Sequence, residues 1–126
     1  MARKLIIKDE DLSGSEFEHS NISAAKFTDI NLSGSQFHNI NFSNSQFTTA
    51  HLGGTLFRQI GPMPDKDGKL ERQRPVIFEE GTLTHSVFRR MNMTDVEISD
   101  CDIDGLTIDG ILVTDLLKVW KKRYNL

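Results

Sequence analysis

The chain has 126 residues, a formal net charge of −3 at neutral pH and a single cysteine. This length suits one domain, and one cysteine excludes an intrachain disulfide. No apolar run is long enough for a membrane span or for the hydrophobic core of a signal peptide, so we expect a cytoplasmic protein with no membrane partner.

An apolar residue recurs every five positions, and all eight phenylalanines occupy this central position of the repeat. The central residues run from Ile7 to Phe57 and, after an interruption, from Phe78 to Val113. A period of five fits neither an amphipathic helix nor an ordinary strand, so it indicates a repeat architecture. The residue two positions earlier is usually small or aliphatic, so both are predicted to point inward, with an outward residue between them.

A second period of twenty residues is superimposed on the first. Leucine-led triplets that end in glycine recur at Leu12, Leu32 and Leu52. Four pentapeptides would then make one coil, and a sheet spacing of ~4.8 Å would stack nearly five coils into a solenoid. If the chain re-enters at the next corner after the interruption, Phe78 takes the face of Ile22 and Phe42, and Gly110 joins the glycine column.

Units such as 31–35 (Asn-Leu-Ser-Gly-Ser) and 41–45 (Asn-Phe-Ser-Asn-Ser) resemble the A(D/N)LXX motif of the pentapeptide-repeat family. The resemblance covers nearly all of the chain except the interruption and the tail. It implies an all-β fold, a right-handed quadrilateral β-helix, which agrees with the period of twenty. We expect one domain over residues 1–126, with coils at 5–59 and 76–113, a loop insertion at 60–75 and a short C-terminal α-helix at 115–123.

The insertion is rich in proline and carries an Asp67-Gly68 pair, which predicts a protruding loop or a short hairpin. Its basic residues are candidate partner-binding side chains: Lys66, Lys69, Arg72 and Arg74. A functional loop and a passive insertion both remain open. Apolar residues take outward positions nearby, at Leu56, Ile77 and Val87. We expect the loop to cover them through Met63 or Leu70, with a partner-binding patch as the alternative.

Acidic residues dominate the segment from 76 to 115, which has nine of them against two arginines, a net charge of −7. The candidate contact residues here are Glu80, Asp100, Asp102 and Asp104. Such a field repels nucleic acid, so no direct nucleic-acid binding is expected, and it attracts a basic partner. A solvated acidic face is the alternative.

The tail predicts the only helix, with Thr114 or Asp115 as its N-cap and with basic residues near its end. Leu116, Trp120 and Tyr124 form one apolar stripe, which Leu117 extends. This stripe is predicted either to cap the solenoid or to form a dimer interface. The tail resembles the C-terminal helix that mediates dimers in the quinolone-resistance branch of the family, which implies a possible homodimer through this end.

No catalytic triad, phosphate-binding loop or paired carboxylates can be built from this pattern, and the four histidines are dispersed. We therefore expect no catalysis, no cofactor and no metal. The predicted function is a non-catalytic scaffold for an unidentified protein partner. The resemblance implies an alternative, a DNA mimic that binds and protects a bacterial type II topoisomerase, DNA gyrase. Ice binding is disfavoured because the threonines are scattered.

Overall fold

A computed structural model describes residues 2–62 and 64–126, and the chain divides into two units, Met1–Arg58 and Gln59–Leu126. The division falls just before the predicted insertion. In the described part of the chain, strands and helices occur only in the second unit. They are strand β1 (Thr107–Ile108), strand β2 (Ile111–Leu112) and helix α1 (Val113–Arg123). The repeats themselves are turns joined by short extended segments.

Each pentapeptide turns at the same place, two residues after its central residue. There the backbone is left-handed, with φ of 78° at Gly14 and 49° at His19, for example. The pattern holds from Ile7 to Phe57 and again from Phe78 to Ile103. The left-handed region is open to glycine and accessible to Asn and Asp, and these residues often occupy the position here. The five-residue period of the sequence is therefore also a period of the backbone conformation.

Two kinds of corner alternate along the chain. In the first kind, which we call closed corners, the carbonyl oxygen of the central residue accepts a backbone hydrogen bond from the residue three positions later. At Leu12 this bond comes from Ser15 N–H at 3.1 Å, and with Gly14 left-handed the turn is of type II. The central residues of the closed corners are Leu12, Ile22, Leu32, Phe42, Leu52, Leu83, Met93 and Ile103.

The second kind, which we call open corners, bends at the same place without the closing hydrogen bond. The central residues of the open corners are Ile7, Phe17, Phe27, Phe37, Phe47, Phe57, Phe78, Phe88 and Ile98. Every phenylalanine except Phe42 is thus at an open corner. The two kinds succeed one another strictly, so the structural repeat is ten residues long.

This alternation corrects the register expected after the insertion. Phe78 lies at an open corner, whereas Ile22 and Phe42 lie at closed corners, so Phe78 does not take their place. The insertion stands where one closed corner would stand between Phe57 and Phe78. After the insertion, the residue equivalent to Gly14 is Gly105, whose φ is also 78°. Gly110 lies instead in the loop of a β-hairpin that follows the repeats.

No described side chain is buried, and the phenylalanines are 43% to 69% exposed. Described residues twelve or more positions apart almost never come within 8 Å at Cα, so the expected column of Phe17, Phe37 and Phe57 is not observed. The aromatic contacts join neighbouring corners instead, with ring centroids 5.6 Å apart for Phe37 and Phe42 and 5.5 Å apart for Phe42 and Phe47. The structure therefore shows the corners of a solenoid without stacked coils, because the corners depend only on local bonds.

The repeats end in an antiparallel hairpin, where two further pentapeptides were expected. Strand β1 pairs with β2 through Thr107 with Leu112 and Ile108 with Ile111. Asp109 and Gly110 form the two-residue loop with φ of 49° and 79°, as a type I′ turn requires. Ile103, Leu106, Val113 and Thr114 are half-buried around it, while the other described residues are exposed.

Helix α1 begins at Val113, two residues earlier than predicted, and ends at Arg123 as predicted. Its N-cap is Leu112, which makes no side-chain capping hydrogen bond, so the predicted caps Thr114 and Asp115 are wrong. The reason is that β2 runs directly into the helix, which places both residues inside the first turn. Asp115 still complements the helix dipole there.

Candidate interaction surface

The outward residue just before each closed corner is part of the turn. Its side chain accepts a hydrogen bond from the backbone N–H two residues later, as Asn31 Oδ1 does from Ser33 at 2.9 Å and Asn41 Oδ1 from Ser43 at 2.9 Å. The residues that act in this way are Asp11, Asn21, Asn31, Asn41, His51, Thr82, Asn92 and Asp102. These Asx-type bonds fix the closed corners, so the side chains are structural.

The bond has an electrostatic consequence at Asp11. The backbone N–H of Ser13, followed by the Ser13 hydroxyl, stabilises the charged carboxylate and lowers the pKa of Asp11 from its ordinary value of 3.8. The carboxylate is exposed, so the effect comes from hydrogen bonding rather than from burial.

The outward residue before each open corner makes no such bond. These residues are Ile6, Glu16, Lys26, Gln36, Gln46, Leu56, Ile77, Val87 and Glu97, and all are exposed. Their side chains are longer or branched aliphatic, and none is Asn or Asp, because the open corner does not need a short acceptor. Sequence reasoning treated all outward positions alike. The signal that separates them is the alternation of Asx with other residue types at this position.

The insertion contains the predicted turn at Asp67-Gly68. The carbonyl oxygen of Asp65 accepts from Gly68 N–H at 2.9 Å, and the carbonyl of Lys69 accepts from Asp65 N–H at 2.9 Å. Asp65 Oδ1 also accepts from the backbone N–H groups of Asp67 and Lys69, both at 2.9 Å. Gly68 is left-handed with φ of 77°. A tight, hydrogen-bonded tip therefore carries Lys66 and Lys69, and Arg72 and Arg74 follow along the chain.

The apolar residues beside the insertion are exposed. Within the described part of the second unit, Ile77 is 77% exposed and Leu70 is exposed as well, so the expected covering of Ile77 by Leu70 is not observed; Leu56, in the first unit, is 68% exposed. Met63, the other residue expected to provide it, lies outside the described residues. Near the base of the insertion, the side chain of Gln73 comes close to Gly61, with Oε1 3.2 Å from the position that a Cβ on Gly61 would occupy.

The acidic candidates fall on two kinds of corner. Glu80 and Asp100 are the left-handed residues of open corners, with φ of 57° and 53°. Asp102 and Asp104 share one closed corner, where Asp102 Oδ1 accepts from Asp104 N–H at 3.0 Å. The structure therefore brings Asp102 and Asp104 together, but not Glu80 and Asp100. Asp102 has a structural role that the sequence did not reveal.

The helix candidates remain accessible. Trp120 and Tyr124 stack along one face with ring centroids 5.1 Å apart and a tilt of 44°. Trp120 is 51% exposed, and Leu116 and Leu117 are also exposed, so burial of Trp120 on the last coil is not observed. Cys101 is two positions before the central residue Ile103 and was therefore predicted to point inward, but it is exposed, with its Sγ 3.1 Å from the carbonyl oxygen of Ser99.

A family model described as pentapeptide repeats matches residues 10–39 and 20–59, with eight copies of the repeat. Residues 10–59 are therefore pentapeptide repeats. No curated protein and no solved structure matches it. The matched pentapeptide repeats include every closed corner of the first unit, and the same turns continue beyond residue 59.

The described residues contain no group of three or more His, Cys, Asp or Glu side chains arranged to hold a metal ion. None of their helices has the length and apolar character needed to cross a bilayer.

Proposed function

We propose that the protein is a non-catalytic scaffold that binds another protein through side chains that its turns do not use. The alternation of corners carries this proposal. Closed corners use their outward side chains in turn formation. The outward side chains of open corners, Lys66 and Lys69 at the tip of the insertion, and the acidic residues Glu80, Asp100 and Asp104 are exposed and have no such role. Side chains that have no role in turn formation are available for recognition.

We also propose that the corners stack into the right-handed quadrilateral β-helix of nearly five coils that the family implies. The exposed central side chains support stacking, because full burial of one Phe or Leu side chain contributes about 1.5 to 3 kcal/mol. Adjacent coils would place Cα atoms of residues twenty apart at ~4.8 Å, within the range that a disulfide spans.

Engineered cysteines test the stacking. With Cys101 replaced by serine, Ser15→Cys with Ser35→Cys should oxidise to an intrachain disulfide under mild conditions. Ser15→Cys with Ser45→Cys is the control, because thirty residues place the second cysteine on the opposite face. Equal oxidation of the two pairs, or none in the first, would rule out coils of twenty residues.

The scaffold is tested by exchanging the insertion. Residues 60–75 are replaced with a copy of residues 30–34, which supplies the missing closed corner and keeps the alternation from Phe57 to Phe78. A second variant keeps the length but replaces the tip with Gly and Ser. A partner captured from bacterial lysate by the parent and lost by both variants supports recognition by the insertion. Capture of the same proteins by all three makes the insertion passive, and no specific capture by the parent contradicts the scaffold.

The DNA-mimic function is the second candidate, favoured by residues 91–112, which contain six acidic residues and no Lys or Arg. The assay is gyrase supercoiling in the presence of a fluoroquinolone, where a mimic should restore supercoiling. Charge reversal at Glu80, Asp100 and Asp104, with Asp102→Asn to preserve the turn bond, should abolish the rescue. Reversal of Glu10, Glu16 and Glu18, together with Asp11→Asn, is the control matched in charge. Absence of rescue at large molar excess excludes this activity for gyrase.

A further inference from the structure

Helix α1 and the residues that follow it have a charge opposite to that of the rest of the second unit. From Leu116 to Leu126 the chain contains four basic residues and no acidic one. The preceding segment, residues 91–112, contains only acidic charges. The last eleven residues are therefore a separate basic module at the end of an acidic array.

The arrangement of this module is amphipathic. At 100° per residue, Leu116, Trp120 and Tyr124 lie above one another, and the stacked rings of Trp120 and Tyr124 agree with this placement. Lys121 and Arg123 lie at the two edges of the apolar stripe.

The second leucine and the remaining lysines of α1 have different positions around the helix. Leu117 widens the stripe, while Lys118 and Lys122 lie on the opposite side of the helix. The stripe residues are 41% to 56% exposed, so nothing in the described part of the chain covers them. The stripe is narrow and has basic side chains at both edges, and the opposite side of the helix carries Asp115 as well as the two lysines.

We propose that α1 is a surface-binding helix that docks on anionic lipid headgroups, with Leu116, Trp120 and Tyr124 in the headgroup region and the lysines against the lipid phosphates. Apolar residues on one face and lysines on the other are the features of a helix that lies in the interface plane. Adjacent Trp and Tyr rings favour the same boundary, because each has an apolar body and a polar tip.

An acidic groove on a protein partner would also attract the basic side chains, but a fluid lipid surface fits the geometry of helix α1 better. Charges lie on both edges of the stripe and behind it, and long basic side chains can extend past an apolar stripe to reach phosphates on either side. The neighbouring acidic segment opposes binding, yet its repulsion is screened beyond ~8 Å at physiological salt. The expectation that the chain has no membrane partner rested on the lack of a spanning segment, which surface binding does not need.

Trp120 is the only tryptophan of the chain, so its fluorescence reports on this helix alone. The full chain is titrated with vesicles of phosphatidylcholine alone and with vesicles that contain one quarter phosphatidylglycerol. We expect a blue shift of the emission with the anionic vesicles, reversed by 0.5 M salt, and little change with the neutral ones. Equal shifts on both surfaces, or none on the anionic one at millimolar lipid, overturn the proposal.

Charge variants separate lipid binding from other occupants. Lys118→Gln with Lys121→Gln and Lys122→Gln should weaken binding roughly 100-fold, since each basic residue near an anionic surface contributes about one factor of five. The control changes Lys66, Lys69 and Arg72 to Gln, removing the same charge from the insertion, and should bind like the parent. Equal weakening by both sets contradicts a specific helix site. A blue-shifted Trp120 without vesicles, together with a dimer in sedimentation, assigns the stripe to a second copy and overturns the lipid proposal.

Discussion

The Asx-type bonds of the closed corners lead to a quantitative prediction. Replacing Asn21, Asn31 and Asn41 together with alanine removes three hydrogen bonds to backbone N–H groups, of 3.0, 2.9 and 2.9 Å. A side-chain hydrogen bond contributes about 0.5 to 1.5 kcal/mol, and the lower half of this range applies because all three are exposed. If the corners are independent, the triple variant loses about 1.5 to 3 kcal/mol of unfolding free energy.

The measurement is urea unfolding followed by far-UV circular dichroism. With a slope of about 2 kcal/mol per molar urea, the midpoint should fall by roughly 1 M. The matched control replaces Lys26, Gln36 and Gln46, the corresponding residues of open corners, with alanine. This variant should change the urea midpoint little, because these side chains make no turn bond. Equal losses in the two triple variants would refute the structural distinction between closed and open corners.

Three further predictions concern single residues of the first unit. Gly14→Ala should destabilise by about 1 kcal/mol through its φ of 78° alone, because no atom lies within 4 Å of the added Cβ, and an unchanged urea midpoint would contradict this. Gly53→Ala should displace the ring of His51, whose Cε1 would lie 2.6 Å from the new Cβ; an unchanged NMR chemical shift of His51 Nδ1 would argue against the hydrogen bond to Gly53 N–H. The lowered pKa of Asp11 should contribute stability above pH ~4 that is lost as the pH falls through the folded-state pKa, and Asp11→Asn should not show this loss. Carboxyl NMR titration checks the sign, which would be reversed if the folded-state pKa lay above 3.8.

The sequence predicted the repeat because its information is local. A central apolar residue followed two positions later by a left-handed residue specifies a corner within a single pentapeptide, and the Asp67-Gly68 turn is specified in the same way. Both predictions are confirmed at the level of the turn. The alternation was equally local and was missed, because Asn31 and Gln36 were grouped as polar although only the shorter side chain can reach back to the backbone.

The C-terminal end shows where the repeat interpretation failed. Ile108 and Val113 continue the five-residue period, but Asp109-Gly110 between two short apolar pairs is also a strong signal for a two-residue hairpin. The hairpin pairs its two strands through backbone hydrogen bonds, whereas the open corner expected at Ile108 would have no closing hydrogen bond. The hairpin therefore forms in place of the two expected pentapeptides. Because β2 leads directly into helix α1, the helix begins at Val113, earlier than the predicted caps Thr114 and Asp115 indicated. The covering of Leu56 and Ile77 depended on contacts between distant segments, for which the pattern carries no information.

In the β1–β2 hairpin, each strand pairs one of its backbone edges with the other strand. Backbone groups of Thr107 and Ile108 pair with Leu112 and Ile111, so this end offers fewer free N–H and C=O groups to another chain. In the first unit, residues 2–8 are exposed and have no backbone hydrogen bonds, and they include Leu5, Ile6 and Ile7. Unpaired extended segments recruit further chains edge to edge. We therefore expect edge-to-edge association between copies, where it occurs, to involve residues 2–8 rather than the paired edges of β1 and β2.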